Sequence, residues 1–215
     1  MGDMRCAGVL LTGGASRRMG VDKATLVVGA QGGQAATLAR RTAGTLIEVA
    51  EMAVEVGPGR SGLPAFTEDP PGGGPLAGFV EGCSRLRAAG WDGPVLLVAT
   101  DLPDLDADIL RWLAAYPAGV SAVPLLEGIP QPLCARYGPK VVDIAVEVLN
   151  RGQRSMGALL DAIEPHYLLP ERDGAPSGWR RALTDVDTPE ALAGLDGEDR
   201  IDRSSGARAR HARLA

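Results

Sequence analysis

The 215-residue sequence is poor in aromatic residues and has no long apolar run, and each shortage excludes a class of function. Only 4% of the residues are Phe, Trp or Tyr, which argues against a nucleic-acid surface built on base stacking. The formal net charge of −5 also disfavours a polyanion partner, so we expect no nucleic-acid binding. No apolar run approaches the length of a membrane span, and the N-terminus lacks the pattern of a signal peptide. We therefore expect a cytoplasmic protein with no membrane partner.

Cysteine and histidine are also scarce. The three cysteines Cys6, Cys83 and Cys134 are odd in number, far apart and set in apolar stretches, which predicts reduced core thiols instead of disulfides or a zinc site. The two histidines, His166 and His211, lie outside every motif described below. Neither residue type therefore indicates the chemistry of this chain.

Short apolar segments alternate with segments of helical periodicity along most of the chain. Strands are predicted at 5–11, 52–56, 94–105, 120–125 and 132–137, and helices at 35–50, 75–89, 106–115, 140–149 and 155–163. This alternation predicts an α/β fold with a mainly parallel central sheet and helices on both faces.

The C-terminal part of the chain is less regular. Residues 182–192 are predicted to form a strand, a turn and a helix, with Thr188 as the N-cap and Pro189 in the first helical position. We expect one domain over residues 1–195 and, because apolar periodicity is lacking there, a flexible tail over residues 196–215.

A loop rich in glycine and basic residues follows the first predicted strand, in the stretch LLTGGASRRMGVDKATL. Gly13 and Gly14 allow the backbone to approach a ligand closely, and the N–H groups of such a loop can bind phosphate oxygens. Arg17, Arg18 and Lys23 add the positive charge that a triphosphate needs. The spacing matches neither the dinucleotide fingerprint nor the P-loop of ATPases. From the loop alone, a phosphate site and an ordinary strand-to-helix turn are equally open.

Asp101 lies directly after another predicted strand. Ligands of parallel sheets bind beyond the carboxyl ends of the strands, so we expect Asp101 and the loop at 12–23 to face the same crevice. A carboxylate there suits a hard divalent cation bound together with phosphate oxygens. The alternative is a cap or turn residue before Pro103.

Three segments in order resemble the nucleotidyltransferases that activate sugars, polyols and pterins. The loop resembles the family pattern L-x-G-G-x-S-x-R-M-G-x-D-K. The stretch EDPPGGGPLAGFVEG resembles the family's acidic residue followed by a helix start, and LLVATDLPDL resembles its strand ending in a metal-binding aspartate. The later stretches QPLCARY, RSMGALLDAI and DVDTPEAL resemble the C-terminal half of one branch, the molybdenum cofactor guanylyltransferases. The resemblance covers residues 5–195 and implies a three-layer, Rossmann-like nucleotidyltransferase fold.

The resemblance implies a reaction and a cofactor. GMP would pass from GTP to the phosphate of molybdopterin, with or without its molybdenum, with release of pyrophosphate and with Mg²⁺ as cofactor. Lys23, Asp101 and Arg18 are the implied catalytic residues. Asp101 is the implied metal ligand, and Asp187 is either a second metal contact or a turn residue.

The resemblance also implies which residues bind each substrate. The nucleotide-binding residues are Leu11, Thr12, Gly13, Gly14, Lys23, Asp69 and Asp101. Gly13-Gly14 favours guanine, because the related cytidylyltransferase tends to have Ala-Gly there, and Glu68 could take the place of Asp69. The family often has Asn after the second strand, where this chain has Glu55, which leaves the base or ribose contact there open. Gln131 and Arg154 are the candidate acceptor-binding residues, although Arg154 also fits an ordinary surface position.

Two other interpretations stay open. One is a related nucleotidyltransferase that uses CTP, or a sugar or polyol phosphate as acceptor. The other is a catalytically silent nucleotide-binding protein, against which the presence of both Lys23 and Asp101 argues. The partner proteins that the resemblance implies are those that deliver the molybdenum cofactor or act as chaperones of molybdoenzymes.

Overall fold

The apolar runs of the sequence form the strands of one central sheet, and the segments between them form helices. The computed structural model describes residues 5–13, 23–28, 36–68 and 72–185. The strands are β1 (Ala7–Leu11), β2 (Val27–Val28), β3 (Ala36–Thr37), β4 (Ala53–Val56), β5 (Ala65–Phe66), β6 (Val95–Ala99), β7 (Ala122–Leu126), β8 (Ile129–Pro130), β9 (Cys134–Tyr137) and β10 (His166–Leu168). The helices are α1 (Leu38–Ile47), α2 (Pro75–Ala88), α3 (Ala107–Ala114), α4 (Val141–Asn150), α5 (Met156–Ala162) and α6 (Trp179–Ala182), and Lys23–Thr25 form a 3₁₀ helix.

The central sheet has the strand order β10-β7-β9-β6-β1-β4-β5, with β8 paired to β7. The pairs β5–β4, β4–β1, β1–β6 and β7–β10 are parallel, and β9 runs antiparallel to both β6 and β7. The short strands β2 and β3 form a separate antiparallel pair. The predicted mainly parallel sheet is therefore confirmed.

Helices cover both faces of the sheet, because successive side chains of each strand point to opposite faces. In β1, Val9 and Leu11 pack into an apolar cluster with α2, α4 and α5, whereas Leu10 packs into a second cluster with α1, α3 and α6. We call these two sides the α2 face and the α1 face. The result is the expected three-layer α/β architecture.

Helix α2 approaches β1 very closely. A Cβ atom added at Gly82 would lie 2.5 Å from Cγ1 of Val9, and one added at Gly78 would lie 3.0 Å from Cδ2 of Leu11. The helix therefore runs antiparallel to β1, and its N-terminus projects past Leu11 at the carboxyl end of that strand. Pro75 occupies the first helical position, as predicted.

The cysteines are free and buried, as predicted. Burial raises the pKa of the Cys6 thiol to about 11 and that of Cys134 to about 12. It raises the pKa of Cys83 further still. All three are therefore neutral core side chains at neutral pH.

Most predicted elements are confirmed with bounds that shift by one to three residues. The N-caps are the reason at several helices: Asp106 accepts from the Ile109 N–H at 3.0 Å, and Ser155 accepts from the Ala158 N–H at 3.2 Å. Thr37 likewise caps α1, so that helix begins at Leu38 and not at residue 35. The predicted strand at 94–105 ends at Ala99, before the polar residues begin.

The strand predicted to begin at Ala182 is wrong. Ala182 is the last residue of α6, and its N–H donates to the Gly178 carbonyl at 3.1 Å. An ion pair of 2.9 Å between Arg181 and Asp104 joins this helix to the segment after β6. Residues 186–192, with Thr188 and Pro189, and the predicted tail at 196–215 lie outside the described residues. No helix in the described ranges is long and apolar enough to cross a bilayer.

Candidate functional site

The strands β1, β4 and β6 end side by side at one edge of the sheet. Leu11, the last residue of β1, is in register with Val56 of β4 and Ala99 of β6. The N–H of the next residue, Thr12, donates to the Val56 carbonyl at 3.1 Å. We call this side, where Thr12, Gly57 and Thr100 follow their strands, the carboxyl edge. The start of the first loop therefore lies beside the end of β6, as predicted, while residues 14–22 of that loop lie outside the described residues.

The Glu55 carboxylate is fully buried just below the carboxyl edge. Its Oε1 accepts from the Gly59 and Arg60 N–H groups, each at 2.8 Å, and from the Thr12 hydroxyl. Its Oε2 accepts from the Ser61 N–H at 2.8 Å and from the Ser61 hydroxyl at 2.5 Å. Burial acts to raise the pKa of Glu55, but the hydrogen bonds from Ser61, Thr12 and the backbone outweigh it, and the pKa lies below the ordinary value. The carboxylate is thus ionised and bonded within the protein.

Gly57 brings the loop after β4 into contact with the loop after β1. A Cβ atom at Gly57 would lie 2.1 Å from Oγ1 of Thr12 and 2.7 Å from the Gly13 nitrogen. The φ angle of Gly57 is +151°, a value that other residues rarely adopt. Only glycine allows the two loops to lie this close.

Asp101 is half-buried and lies two residues after the end of β6. Its negative charge contributes to the raised pKa of Cys134, after the larger contribution of burial. In the part of the chain that the structure describes, no three His, Cys, Asp or Glu side chains converge on a common metal position. Mg²⁺ needs no such cluster, because it is commonly bound by one or two carboxylates, substrate phosphates and water. Asp101 therefore fits a magnesium ion that is shared with a nucleotide.

Arg154 lies beside the N-terminus of α2, on the side where that helix projects past β1. The Leu76 N–H donates to the Arg154 carbonyl at 3.4 Å, and a Cβ atom at Gly74 would lie 3.1 Å from the same oxygen. The Arg154 residue itself is exposed. Glu68, on the other side of the glycine-rich turn, accepts from the Gly72 N–H at 3.0 Å. An exposed arginine is thus placed near a helix end that favours anions.

Gln131 lies in the connection between β8 and β9. Its side-chain amide donates to the Ile129 carbonyl at 3.2 Å, and its backbone N–H donates to the Pro124 carbonyl at 2.8 Å. Two residues on, the Leu133 carbonyl accepts from the Ala99 N–H at 2.9 Å, which places this connection next to the end of β6. Gln131 is therefore near the carboxyl edge, with its amide engaged in its own hairpin.

The structure brings together Leu11, Thr12, Gly13, Asp101, Gln131 and Arg154 at or near the carboxyl edge. Gly14, Arg18, Asp69 and Asp187 lie outside the described residues, and so does the side chain of Lys23, which begins the 3₁₀ helix. Sequence reasoning did not find the role of Glu55 as a hydrogen-bond acceptor for the following loop. The available signal was a carboxylate at a buried position of an apolar strand, followed by Gly-Pro-Gly-Arg-Ser.

A shallow groove of about 610 Å³ lies elsewhere, at the amino ends of β7 and β10. Ser121, Val141 and His166 line it, and none of the predicted site residues does. The carboxyl edge, and not this groove, collects the motif residues.

Comparison with known proteins identifies the family of this chain. Residues 8–166 match the MobA-like NTP transferase domain. A Pelotomaculum thermopropionicum protein named "Probable molybdenum cofactor guanylyltransferase" is 31% identical over 195 residues, which span 88% of this chain and 91% of that protein. A Mycobacterium tuberculosis protein of the same name is 35% identical over 165 residues, or 73% of this chain and 79% of that protein.

Among solved structures, the molybdopterin-guanine dinucleotide biosynthesis protein A of Archaeoglobus fulgidus superposes with a TM-score of 0.70. It is 18% identical, and the match covers 91% of this chain and 99% of that one, so it shows the shared fold. The extent of the family match and the identity to the relatives lead to one conclusion: this chain belongs to the MobA-like NTP transferase family and is a nucleotidyltransferase.

Proposed function

We propose that the protein transfers GMP from GTP to the phosphate of molybdopterin and releases pyrophosphate, with Mg²⁺ as its cofactor. The observation that carries the proposal is the placement of Gly13 and Asp101, both at motif positions, just beyond two strands that are paired in register. The names of the relatives, probable molybdenum cofactor guanylyltransferases, support a guanine nucleotide and a form of the molybdenum cofactor as the substrates.

The reaction needs positioning more than proton transfer. An oxygen of the acceptor phosphate forms a bond to the α-phosphorus of GTP, and the bond from that phosphorus to the bridging oxygen breaks. Pyrophosphate leaves with the bonding electron pair. The attacking oxygen is already anionic, so no general base is needed, in keeping with the position of His166 at the opposite end of the sheet.

Each part of the site has a role in this proposal. The backbone of Leu11 to Gly13, continued by Gly14, holds the guanine base, and Asp69 contacts the nucleotide. Lys23 and Arg18 neutralise the phosphate charge. Asp101 would hold Mg²⁺, with Asp187 as a second contact, and the ion would supply stabilisation of the negative charge on the phosphates. Arg154 and Gln131 meet the acceptor.

The test is pyrophosphate release by the purified full chain with Mg²⁺ and molybdopterin, compared across GTP, CTP, ATP and UTP. We expect release with GTP only, and a loss of roughly 1,000-fold in turnover in Asp101→Asn, since a metal contact contributes several kcal/mol. Asp108→Asn is the matched control: it removes the same charge from α3, where that carboxylate pairs with Arg111 at 2.8 Å, and should leave turnover unchanged.

Three outcomes would contradict the proposal in different ways. Release with CTP alone would overturn the guanine assignment. Release only with sugar or polyol phosphates would overturn the assignment of molybdopterin as the acceptor. Full turnover in Asp101→Asn would show that Asp101 has no role in the reaction.

A further inference from the structure

Glu55 is a buried charge that the proposed chemistry does not use. A buried carboxylate is costly unless hydrogen bonds replace its lost water, and Glu55 accepts five of them. The Ser61 hydroxyl, which donates to Glu55, also accepts from the Leu63 N–H at 3.2 Å, which fixes its orientation. These bonds organise the whole segment from Gly59 to Ser61 around one side chain.

The same carboxylate reaches the loop that carries the nucleotide motif. Glu55 lies on β4 beside Leu10 of β1, and its Oε1 is shared by the Thr12 hydroxyl and two N–H groups of the β4 loop. Thr12 is the first residue after β1, and the chain continues into the exposed Gly13. One oxygen atom therefore ties the start of the motif loop to the neighbouring loop.

The contact at Gly57 closes the space between these loops. Its backbone is so close to Thr12 and Gly13 that no side chain fits between them. Residues 12–13 and 57–61 thus form a continuous surface at the carboxyl edge, which we call the Glu55-linked wall.

We propose that Glu55 is a positioning residue of the nucleotide site, which holds the Glu55-linked wall in the conformation that receives the base and ribose. This inference rests on the proposed function in that the crevice must bind a nucleotide. Because the Glu55-linked wall is ordered before binding, no binding free energy is lost in ordering it. Glu55 therefore increases nucleotide affinity. It does not touch the reacting atoms, and turnover at saturating nucleotide should therefore depend little on it.

Glu55→Gln tests the proposal because glutamine keeps the shape but replaces one acceptor oxygen with a donor. The Kd of GTP, measured by calorimetry, should rise about tenfold, since a loop must then be ordered on binding. The KM for GTP should rise in parallel, while kcat and the KM of the acceptor stay within about twofold.

Thr12→Val and Thr12→Ser test the link from Glu55 to the motif loop. Valine removes the hydroxyl and should raise the Kd of GTP, whereas serine keeps the hydroxyl and should restore nearly the wild-type value. The double variant Glu55→Gln/Thr12→Val should have a Kd for GTP no higher than that of whichever single variant binds GTP more weakly. The reason is that both changes break the same hydrogen bond between Thr12 and Glu55. If Glu55→Gln does not fold, the comparison of Thr12→Val with Thr12→Ser provides the test. Thr12→Val leaves four of the five hydrogen bonds to Glu55 in place.

Ser121→Ala is the control for a merely structural role. It removes a buried hydroxyl that accepts from the Gly138 N–H at 3.1 Å, just before β7 and outside the Glu55-linked wall. It should lower the melting temperature and leave the Kd of GTP unchanged. The proposal is overturned if Glu55→Gln lowers the melting temperature without weakening nucleotide binding, or if the effects of Glu55→Gln and Thr12→Val on Kd simply add.

The nucleotide panel separates this inference from the proposed function. If the wild type binds CTP and not GTP, the guanine assignment fails, and the same variants measured with CTP decide the role of Glu55. If the wild type binds no nucleotide, both fail.

Discussion

Glu55 and Arg136 are both charged and fully buried, and both point to the α1 face of the central sheet, but they lie near opposite ends of it. Glu55 is near the carboxyl end of β4 and accepts five hydrogen bonds. Arg136 is beside Leu96 and Ala122, at the amino ends of β6 and β7. Its Nη1 donates to the Val120 carbonyl, while its Nε and Nη2 have no hydrogen-bond partner among the residues that the structure describes.

The two side chains show how the number of hydrogen bonds to a buried charged group affects its pKa. The hydrogen bonds of Glu55 bring its pKa below the ordinary value despite burial, so the charge is stabilised where it is. Burial lowers the pKa of Arg136, because the loss of water disfavours the charged guanidinium. The more fully hydrogen-bonded of the two buried charges therefore lies at the carboxyl edge, where the proposed site is, and the other lies towards the opposite end of the sheet.

The largest expected effect on stability is that of Glu55→Ala. It leaves three backbone N–H groups and two hydroxyls without their acceptor and should lower the free energy of unfolding by about 3 kcal/mol. Chemical denaturation measures this loss. The control is Glu51→Ala, which removes an exposed carboxylate that pairs with Arg5 at 2.6 Å and should have a far smaller effect. Equal losses in the two variants would contradict the special role of the buried site.

Gly57→Ala should have the next largest effect. The added methyl must displace Thr12, from whose hydroxyl it would lie 2.1 Å, so we expect about 2 kcal/mol lower stability together with weaker GTP binding. Gly62→Ala is matched to it: Gly62 has a φ of +89° in the same loop, but no atom lies within 4 Å of the added Cβ. Its cost should be backbone strain alone, with an unchanged Kd for GTP. Weaker binding in both variants would mean that general loop strain, and not the contact with Thr12, matters.

Arg136→Met should be neutral or stabilising by about 1 kcal/mol, because it replaces a poorly bonded buried charge with an apolar side chain. Thermal denaturation and pyrophosphate release are the measurements. Turnover should not change, since Arg136 is remote from the carboxyl edge. A loss of more than about 2 kcal/mol would show that buried water satisfies its nitrogens and that the contrast with Glu55 is wrong.

The pH dependence of stability should give the smallest effect. The pKa of Glu55 lies below its ordinary value of about 4.3, so its stabilising contribution is complete above that pH and is lost as the pH falls through the lowered pKa. The difference in free energy of unfolding between the wild type and Glu55→Gln should therefore shrink on acidification below about pH 4. Denaturant titrations at neutral and acidic pH measure it. A difference that grows in acid would mean that the pKa is raised.

The sequence predicted the elements whose signal is local. Runs such as VLLVA and caps such as Asp106 act within a few residues, and the corresponding strands and helices are confirmed. The two- and three-residue strands β5, β8 and β10 were missed, because their pairing depends on neighbours distant in sequence. The strand predicted at Ala182 is wrong for a related reason. The short helix α6 begins after Gly178 and is held by the ion pair between Arg181 and Asp104, which is distant in sequence.

The candidate site was predictable only in part. Leu11, Thr12, Gly13 and Asp101 lie at or just beyond the ends of paired strands, as expected, and their contacts with a nucleotide stay predictions. The role of Glu55 was not predictable in the same way, because a carboxylate that accepts from the backbone of its own following loop has no fixed sequence pattern. That role depends on the turn at Gly57, whose backbone conformation and closeness to Thr12 appear only in three dimensions.

The most direct test of the account is a crystal structure of the full chain with Mg²⁺ and a GTP analogue that resists cleavage at the α-phosphate. We predict that the base lies against Thr12, Gly13 and the Glu55-linked wall, with that wall unmoved and the metal on Asp101. A nucleotide bound in the groove of Ser121 and His166, or a wall rebuilt on binding with the hydrogen bonds of Glu55 broken, would contradict it.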